Sequence, residues 1–238
     1  MSVLSPSREA IVSPDNSPRS DLALRHLGLL VPWANAVMEH EVALLSHKSA
    51  AWHVSRMVPA NRGTRIDESF FDGLHASIPD CLDQLSALTL EAVFLGCTSA
   101  SFEEHVTVSS TRGTPQRVVT AFGALLHAIR LHGWTRVALV TPYLTAVTSA
   151  ERDALETAGI RVLSADGLGM DDNFDQVPLA EVAALALATA SRAADALIIS
   201  CTNLNTLGLL ATLEGQLGIP VLSSNRAIAL MGDGTKLQ

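Results

Sequence analysis

The chain has 238 residues, 48% of them hydrophobic and 17% charged, with a formal net charge of -8. This length is enough for one large domain or two smaller ones, each with its own core. The negative charge and the lack of a Lys/Arg-rich block argue against nucleic acid as a partner. No apolar run approaches the ~20 residues that a membrane-spanning helix needs, so we expect no membrane partner either.

The first 21 residues differ in composition from the rest of the chain. They are rich in Ser and Pro and contain no apolar core of a secretory signal peptide. This composition predicts a flexible N-terminal arm at 1–21. We therefore expect a cytoplasmic protein whose cysteines, Cys81, Cys97 and Cys201, are free thiols. No Cys-x-x-Cys or Cys/His spacing indicates a metal site.

From Leu24 onward, strand-like runs alternate with helical patterns. The predicted strands are 26–32, 50–59, 91–97, 136–142, 160–167, 195–201 and 219–225. The predicted helices are 67–88, 117–132, 145–158, 178–193 and 206–217. Several strands are continuous runs of Val, Ile and Leu, as in strands covered on both faces. The alternation predicts an α/β fold of parallel sheets flanked by helices.

The pattern also repeats. "GLLVPWAN" is similar to "VALVTPYL", and "AVFLGCTSAS" is similar to "ALIISCTNLN". The two pairs of similar motifs occur in the same order, which predicts two pseudo-symmetric α/β lobes. The first lobe comprises 22–115 plus 219–238, and the second comprises 116–218. Ligands of open α/β sheets bind beyond the carboxyl ends of the strands. Facing lobes would then bring Cys97 and Cys201 to one cleft.

Two such cysteines suit chemistry at a carbon beside a carboxylate, where one thiol attacks or removes a proton and the other delivers one. We expect each to open a helix, whose positive N-terminal end lowers the pKa of a thiol. Neither has a Lys or Arg nearby in sequence. A carboxylate would then be held by backbone N–H groups and neutral side chains. The candidate side chains are Thr98, Ser99, Thr202 and Asn203.

A cysteine at such a position is often only a small core residue, and this is our interpretation of Cys81 in the helical "PDCLDQL". Cys97 and Cys201 instead occupy matching positions of the repeat, which favours a functional role for both. Tyr143 is the only tyrosine and follows Pro at a strand tip, which points to the site. Asn35 and Asn173 are by default turn or cap residues.

The motifs "VPWANAVMEHE", "GCTSASF", "VALVTPYL", "DDNF" and "SCTNLNT" carry a family resemblance from about Leu27 to about Asn225. With these motifs in this order, the chain resembles the aspartate/glutamate racemase superfamily, and within it the branch of maleate cis-trans isomerases and arylmalonate decarboxylases. The resemblance implies two flavodoxin-like lobes, a site between them that needs no metal or organic cofactor, and a small carboxylate or dicarboxylate substrate. A homo-oligomer, by default a dimer, is expected.

Arylmalonate decarboxylases have Gly where this chain has Cys97, so the two-cysteine isomerase is the nearer relative. Standard amino-acid racemases read Cys-Thr-His where this chain reads Cys-Thr-Asn. The resemblance implies that Cys97 adds to the substrate double bond and that Cys201 donates and accepts the proton. It also implies that Asn35, Tyr143 and Asn173 bind the carboxylates.

The alternatives are a racemase or decarboxylase of the same superfamily, including an ectoine-utilisation-type protein, and a carboxylate-binding protein without turnover. Trp33 and Phe102 are the bulky residues near the site motifs, and we expect them to shape the pocket.

Overall fold

The computed structural model describes residues 24–46, 50–113 and 115–234. The predicted arm at 1–21 lies outside the described residues. Two sheets with flanking helices make up the described part of the chain. The predicted α/β fold of two lobes is therefore confirmed.

The first sheet has five strands in the order β2-β1-β3-β5-β4, all parallel except β4, which pairs antiparallel with β5. These strands are β1 (Arg25–Pro32), β2 (Ala50–Met57), β3 (Ala92–Leu95), β4 (His105–Ser109) and β5 (Pro115–Thr120). The second sheet has four parallel strands in the order β7-β6-β8-β9. These strands are β6 (Arg136–Tyr143), β7 (Arg161–Met170), β8 (Ala196–Ile199) and β9 (Val221–Ser223).

Seven α-helices in the described residues cover the sheets. They are α1 (Met38–Leu45), α2 (Glu68–Leu85), α3 (Ala121–Leu131), α4 (Thr145–Thr157), α5 (Leu179–Thr189), α6 (Leu210–Leu217) and α7 (Ser224–Asp233). Helices α2, α3 and α7 have the N-cap residues Asp67, Thr120 and Ser223, whose side chains each accept a hydrogen bond from a backbone N–H of the first turn. None of the described helices is long and apolar enough to cross a membrane.

The repeat seen in the sequence recurs in the strand order. Strand β1 lies between β2 and β3, and strand β6 lies between β7 and β8. In each lobe a fourth parallel strand, β5 or β9, extends the sheet and leads directly into a helix, α3 or α7. The duplicated unit is therefore one strand and one helix longer than the sequence pattern showed.

This longer unit changes the predicted boundary between the lobes. Strand β9 pairs with β8, with Leu197 opposite Val221, so 221–223 belong to the second sheet and not to the first lobe. Strand β5 extends the first sheet to Thr120, past the predicted boundary at 115. Helix α7 nevertheless crosses to the first lobe, where it packs against α1.

The largest buried cluster joins the two lobes. It includes Leu27 of β1, Phe122 of α3, Leu139 of β6 and Ile228 of α7. Because interiors are closely packed, this shared core fixes how the two sheets face each other. Cys81 lies buried in α2, where its thiol donates to the Arg56 carbonyl, as expected for a structural cysteine.

Candidate active site

A cavity of about 230 Å³ lies at the carboxyl ends of β1, β3, β6 and β8 and is lined by both lobes. Parallel strands of open sheets usually place ligand sites at this edge. The lining residues are Pro32, Ala34, Asn35, Thr64, Ile66, Phe70, Cys97, Ser99, Tyr143, Asp172, Asn173, Phe174, Asp175, Gln176, Cys201, Thr202 and Asn203. The two cysteines expected to meet therefore line one cavity.

Cys97 follows β3 and comes directly after Gly96, where neighbouring atoms leave no room for a side chain. A Cβ at Gly96 would lie 2.7 Å from the Leu30 carbonyl oxygen and would overlap the Met38 sulfur. Gly96 N instead donates to that carbonyl at 2.8 Å, which ties the loop to β1. The Cys97 sulfur lies 3.8 Å from the Ser99 hydroxyl, and the side chain is almost fully buried.

Cys201 follows β8 in an unusual backbone conformation. Its φ is 143°, one of three positive values among the described non-glycine residues. Such conformations persist only where the surroundings enforce them, and they concentrate at functional sites. The Cys201 N–H donates to Ser224 Oγ at 3.1 Å. Its thiol lies next to the Tyr143 hydroxyl, and both groups line the cavity.

The expectation of lowered thiol pKa values is wrong. Neither cysteine opens a helix, because α6 begins only at Leu210 and Cys97 is followed by a turn and β4. Burial instead raises the pKa of Cys97, opposed by the Ser99 hydroxyl and two backbone N–H groups. Burial raises the pKa of Cys201 to about 12, and nearby Cys97 and Glu151 contribute to that rise. Both residues are neutral thiols at pH 7.

Three of the predicted binding residues join the two cysteine loops across the lobes. Asn35 Nδ2 donates to Thr202 Oγ1 at 3.1 Å, and Thr202 Oγ1 donates to the Gly96 carbonyl at 2.9 Å. Asn203 Oδ1 accepts from the Ala36 N–H at 2.9 Å. These bonds set the spacing between the segments that carry Cys97 and Cys201.

Thr98 lies next to this network but not on the cavity wall. It is buried, and its hydroxyl donates to Ser224 Oγ at 3.0 Å, which also accepts from the Cys201 N–H. The expectation that Thr98 contacts substrate finds no support in this geometry, because its side chain points into the lobe boundary. Its neighbour Ser99 does line the cavity.

Tyr143 and Asn173 lie on the second-lobe side. Tyr143 ends β6, and its ring meets Phe174 edge to face at a centroid distance of 5.5 Å. Burial raises the pKa of its hydroxyl well above the ordinary value, so it is a hydrogen-bond donor at neutral pH. Asn173 adopts a left-handed conformation with φ 55°, and its N–H donates to Asp172 Oδ1 at 2.7 Å.

Sequence reasoning missed the loop that closes the cavity from the first lobe. Ile66 N donates to the Asp171 carbonyl at 2.8 Å, and Thr64 Oγ1 donates to Asp172 Oδ2 at 2.7 Å. Ile66 and Phe70 then form an apolar wall with Phe174. The only signal in the sequence is that Ile66 stands alone as an apolar residue in the polar run "NRGTRIDES".

The expected bulky residues lie elsewhere. The Trp33 indole donates to the Gly63 carbonyl at 3.2 Å, and Phe102 packs edge to face on Phe122 in the core. Neither lines the cavity.

The model of the arylmalonate decarboxylase family matches residues 27–232. The chain belongs to the arylmalonate decarboxylase family. The branch predicted from the motifs is thereby confirmed. A maleate isomerase from Nocardia farcinica is 30% identical over 224 residues, covering 87% of this chain and 88% of that protein. An arylmalonate decarboxylase from Bordetella bronchiseptica is 29% identical over 182 residues, covering 70% of this chain and 75% of that protein.

The solved structures of the family show the same fold. A maleate cis-trans isomerase from Nocardia farcinica superposes with a TM-score of 0.77 and 25% identity, covering 90% of this chain and 94% of that one. That protein carries a Cys-to-Ser substitution and a covalently bound succinylcysteine intermediate.

In this member of the arylmalonate decarboxylase family the cavity has acidic side chains and no basic ones among the described lining residues. Among the described residues no Lys or Arg lines it, whereas Asp172 and Asp175 do. The described residues also contain no group of three or more His, Cys, Asp or Glu side chains placed to hold a metal ion. The polar side-chain groups at the cavity wall are thus thiols, hydroxyls, amides and the carboxyl groups of Asp172 and Asp175.

Proposed function

We propose that the protein is a cofactor-independent isomerase that converts maleate to fumarate through a covalent cysteine adduct. The observation that carries this proposal is that Cys97 and Cys201, from different lobes, line one cavity. The relatives named maleate isomerase support an isomerase, and the succinylcysteine in one of them supports a covalent route.

The surroundings of the two thiols favour unequal roles. A thiolate on Cys97 would be stabilised by the Ser99 hydroxyl and by the N–H groups of Ser99 and Ala100. A thiolate on Cys201 would be stabilised by the Tyr143 hydroxyl and the Asn203 N–H, but burial and the nearby Cys97 and Glu151 outweigh them and raise the pKa of Cys201 to about 12. Paired titratable groups in different environments commonly divide into nucleophile and acid. Cys97 is then the nucleophile and Cys201 the proton donor.

In the proposed reaction the carbon–carbon double bond of maleate becomes a single bond, about which the intermediate can rotate. Cys97 loses its proton to water, and the thiolate adds to one carbon of the maleate double bond. The electron pair of the broken π bond moves onto the neighbouring carbon and its carboxylate, and Cys201 delivers a proton to that carbon. The new single bond rotates, Cys201 takes the proton back, and the Cys97–carbon bond breaks to release fumarate.

Neutral donors hold the carboxylates in this proposal. Asn35 keeps a second N–H after its bond to Thr202, and Ser99, Tyr143 and Asn173 present polar groups at the cavity wall. Fixed donors in a buried site stabilise the charge that develops on the carboxylate more than they would in water. Thr202 and Asn203 act by holding the Cys201 loop.

Two serine variants test the proposal. Cys97→Ser should lower the isomerisation rate by about 10³-fold or more, because a hydroxyl is a poor nucleophile at neutral pH. Cys201→Ser should slow turnover and accumulate an adduct of one maleate on Cys97, visible by mass spectrometry of the digested protein. Cys81→Ser is the matched control, since Cys81 lies away from the cavity in α2.

Activity close to that of the unmodified protein in both site variants would refute the mechanism. Maleate binding without any fumarate formation by the unmodified protein would leave a carboxylate-binding protein as the function.

The second candidate is decarboxylation or racemisation of a larger acid. The apolar wall of Ile66, Phe70 and Phe174 favours it, since it suits a substituent bulkier than a hydrogen atom. Aryl-substituted malonates and chiral α-substituted acids, assayed beside maleate, separate this candidate from the first. Carbon dioxide release or loss of optical activity without maleate turnover would decide for it.

A further inference from the structure

A carboxylic acid without a partner is buried behind the proposed proton donor. Glu151, in α4, is 0% exposed, and neither of its carboxyl oxygens has a hydrogen-bond partner in the described structure. A charged carboxylate in such a place is strongly unfavourable, so these groups are usually paired or neutral. Glu151 does not line the cavity, and the mechanism above gives it no role.

Two segments place Glu151 next to the site. Helix α4 begins two residues after Tyr143, and Thr148, one turn before Glu151, shares a 2.7 Å hydrogen bond with Thr141 of β6. On the other side lies Ser200, the residue before Cys201. Its hydroxyl is close enough to Glu151 to affect the carboxyl, but hydrogen-bond geometry is not met and this hydroxyl also has no partner.

The titratable groups that face Glu151 are the Tyr143 hydroxyl, from β6, and the Cys201 thiol, after β8. On its own helix Arg152 pairs with Asp153 towards the surface. Strand β7, packed against α4, carries Asp166, whose carboxylate accepts from the Thr189 hydroxyl at 2.8 Å.

Burial raises the pKa of Glu151 to about 7. Once ionised, its charge raises the pKa of both Tyr143 and Cys201. The charge on the buried Glu151 carboxyl therefore affects the protonation of Tyr143 and Cys201, the two groups that meet at the cavity wall.

We propose that Glu151 is a positioning residue for proton transfer, whose carboxyl must be neutral for Cys201 to release its proton. When Cys201 delivers a proton to carbon, it becomes a thiolate in a buried space. An ionised Glu151 behind it would place a second negative charge there, which opposes that step. Ionisation of Glu151 thus switches the site off as pH rises. The catalytic part of this inference rests on the proposed function.

The experiment compares the unmodified protein with Glu151→Gln, which keeps the shape and is always neutral, and with Glu156→Gln, an exposed site on the same helix. In Glu151→Gln the pH dependence of kcat for maleate should follow the ionisation of Cys97, which must lose its proton before it attacks the substrate. In the unmodified protein and in Glu156→Gln, kcat should fall progressively below that of Glu151→Gln as pH rises above about 7, with KM little changed.

A second measurement does not depend on turnover. Iodoacetamide labelling of Cys201, followed residue by residue by mass spectrometry, should be faster at mildly alkaline pH in Glu151→Gln than in the other two proteins. Faster labelling without maleate turnover in any protein would refute the proposed reaction and support the coupling. Equal labelling and equal pH profiles in all three proteins would overturn the inference.

The unmodified protein gives a readout that needs no variant. A neutral buried carboxyl has an infrared carbonyl band, and this band should disappear with a midpoint near pH 7. Absence of such a band below pH 6 would also overturn the inference.

Discussion

The substitution Glu151→Gln should stabilise the folded protein increasingly as pH rises from about 4.5 to about 7, and fully above that. The pKa of Glu151 is raised from about 4.5 to about 7 by burial. The folded state therefore holds this proton more tightly than the unfolded chain does. The stability linked to it is fully present below about pH 4.5 and is lost as pH rises through about 7. A glutamine at this position has no such dependence.

The size of the effect follows from these two pKa values. Their difference, at about 1.4 kcal/mol for each pH unit, corresponds to about 3 kcal/mol of unfolding free energy. Because the carboxyl is 0% exposed, solvent screening does not reduce this figure. Glu151→Gln should match the unmodified protein near pH 4 and exceed it by about 3 kcal/mol at pH 8.

Urea unfolding at a series of pH values measures this difference directly. Glu156→Gln, exposed on the same helix, should follow the unmodified protein within about 0.5 kcal/mol at every pH. The reasoning is refuted if the curves of Glu151→Gln and the unmodified protein stay parallel, or if the variant is the less stable protein at pH 8. Either result would mean that the carboxyl is charged and paired in the folded state.

Three further predictions concern the frame of the site. Gly96→Ala should destabilise the protein by about 3 kcal/mol in urea unfolding, since its Cβ would overlap the Leu30 carbonyl, whereas Gly215→Ala, in open space on α6, should be neutral or slightly stabilising. Glu41→Gln should lower the free energy of unfolding by about 3 kcal/mol and should also lower kcat. The reason is that the buried Glu41 carboxyl accepts four hydrogen bonds, two of them from backbone N–H groups in the loop after Cys201. Unchanged melting and activity would contradict this. Raising ionic strength should lower KM for maleate, because a chain of net charge -8 with no basic residue among the described cavity-lining residues repels a dianion; a rising KM would point to an unrecognised cationic group at the site.

The sequence predicted the strands that carry the site because these are long apolar runs with clear ends. Strands β1, β6 and β8 and the turns after them were visible in this way, as were the two cysteines. The hairpin of β4 and β5 was not, because its strands are short and mix polar with apolar positions. Residues 117–120 were predicted as helix and form strand, since pairing with β3 outweighs a local preference.

Features that depend on contacts between distant segments could not be predicted. The pKa values of the thiols follow from burial, which the position of a cysteine in the chain does not reveal. The apolar wall arises only when the loop at Ile66 reaches Asp171 of the other lobe. For Glu151 a weak signal existed, because it lies on the buried face of α4 with Thr148 and Leu155, where a carboxylate is unexpected.

The two lobes share a scaffold, but their cysteines have different surroundings. The duplicated strand order brings both thiols to one cavity, and this symmetry alone would make them equivalent. The differences are the Ser99 hydroxyl beside Cys97, and the positive φ, the Tyr143 hydroxyl and the hidden carboxyl of Glu151 at Cys201. In the proposed reaction these surroundings favour attack by Cys97 and proton delivery by Cys201. The scaffold sets the distance, and the residues around each sulfur set its role.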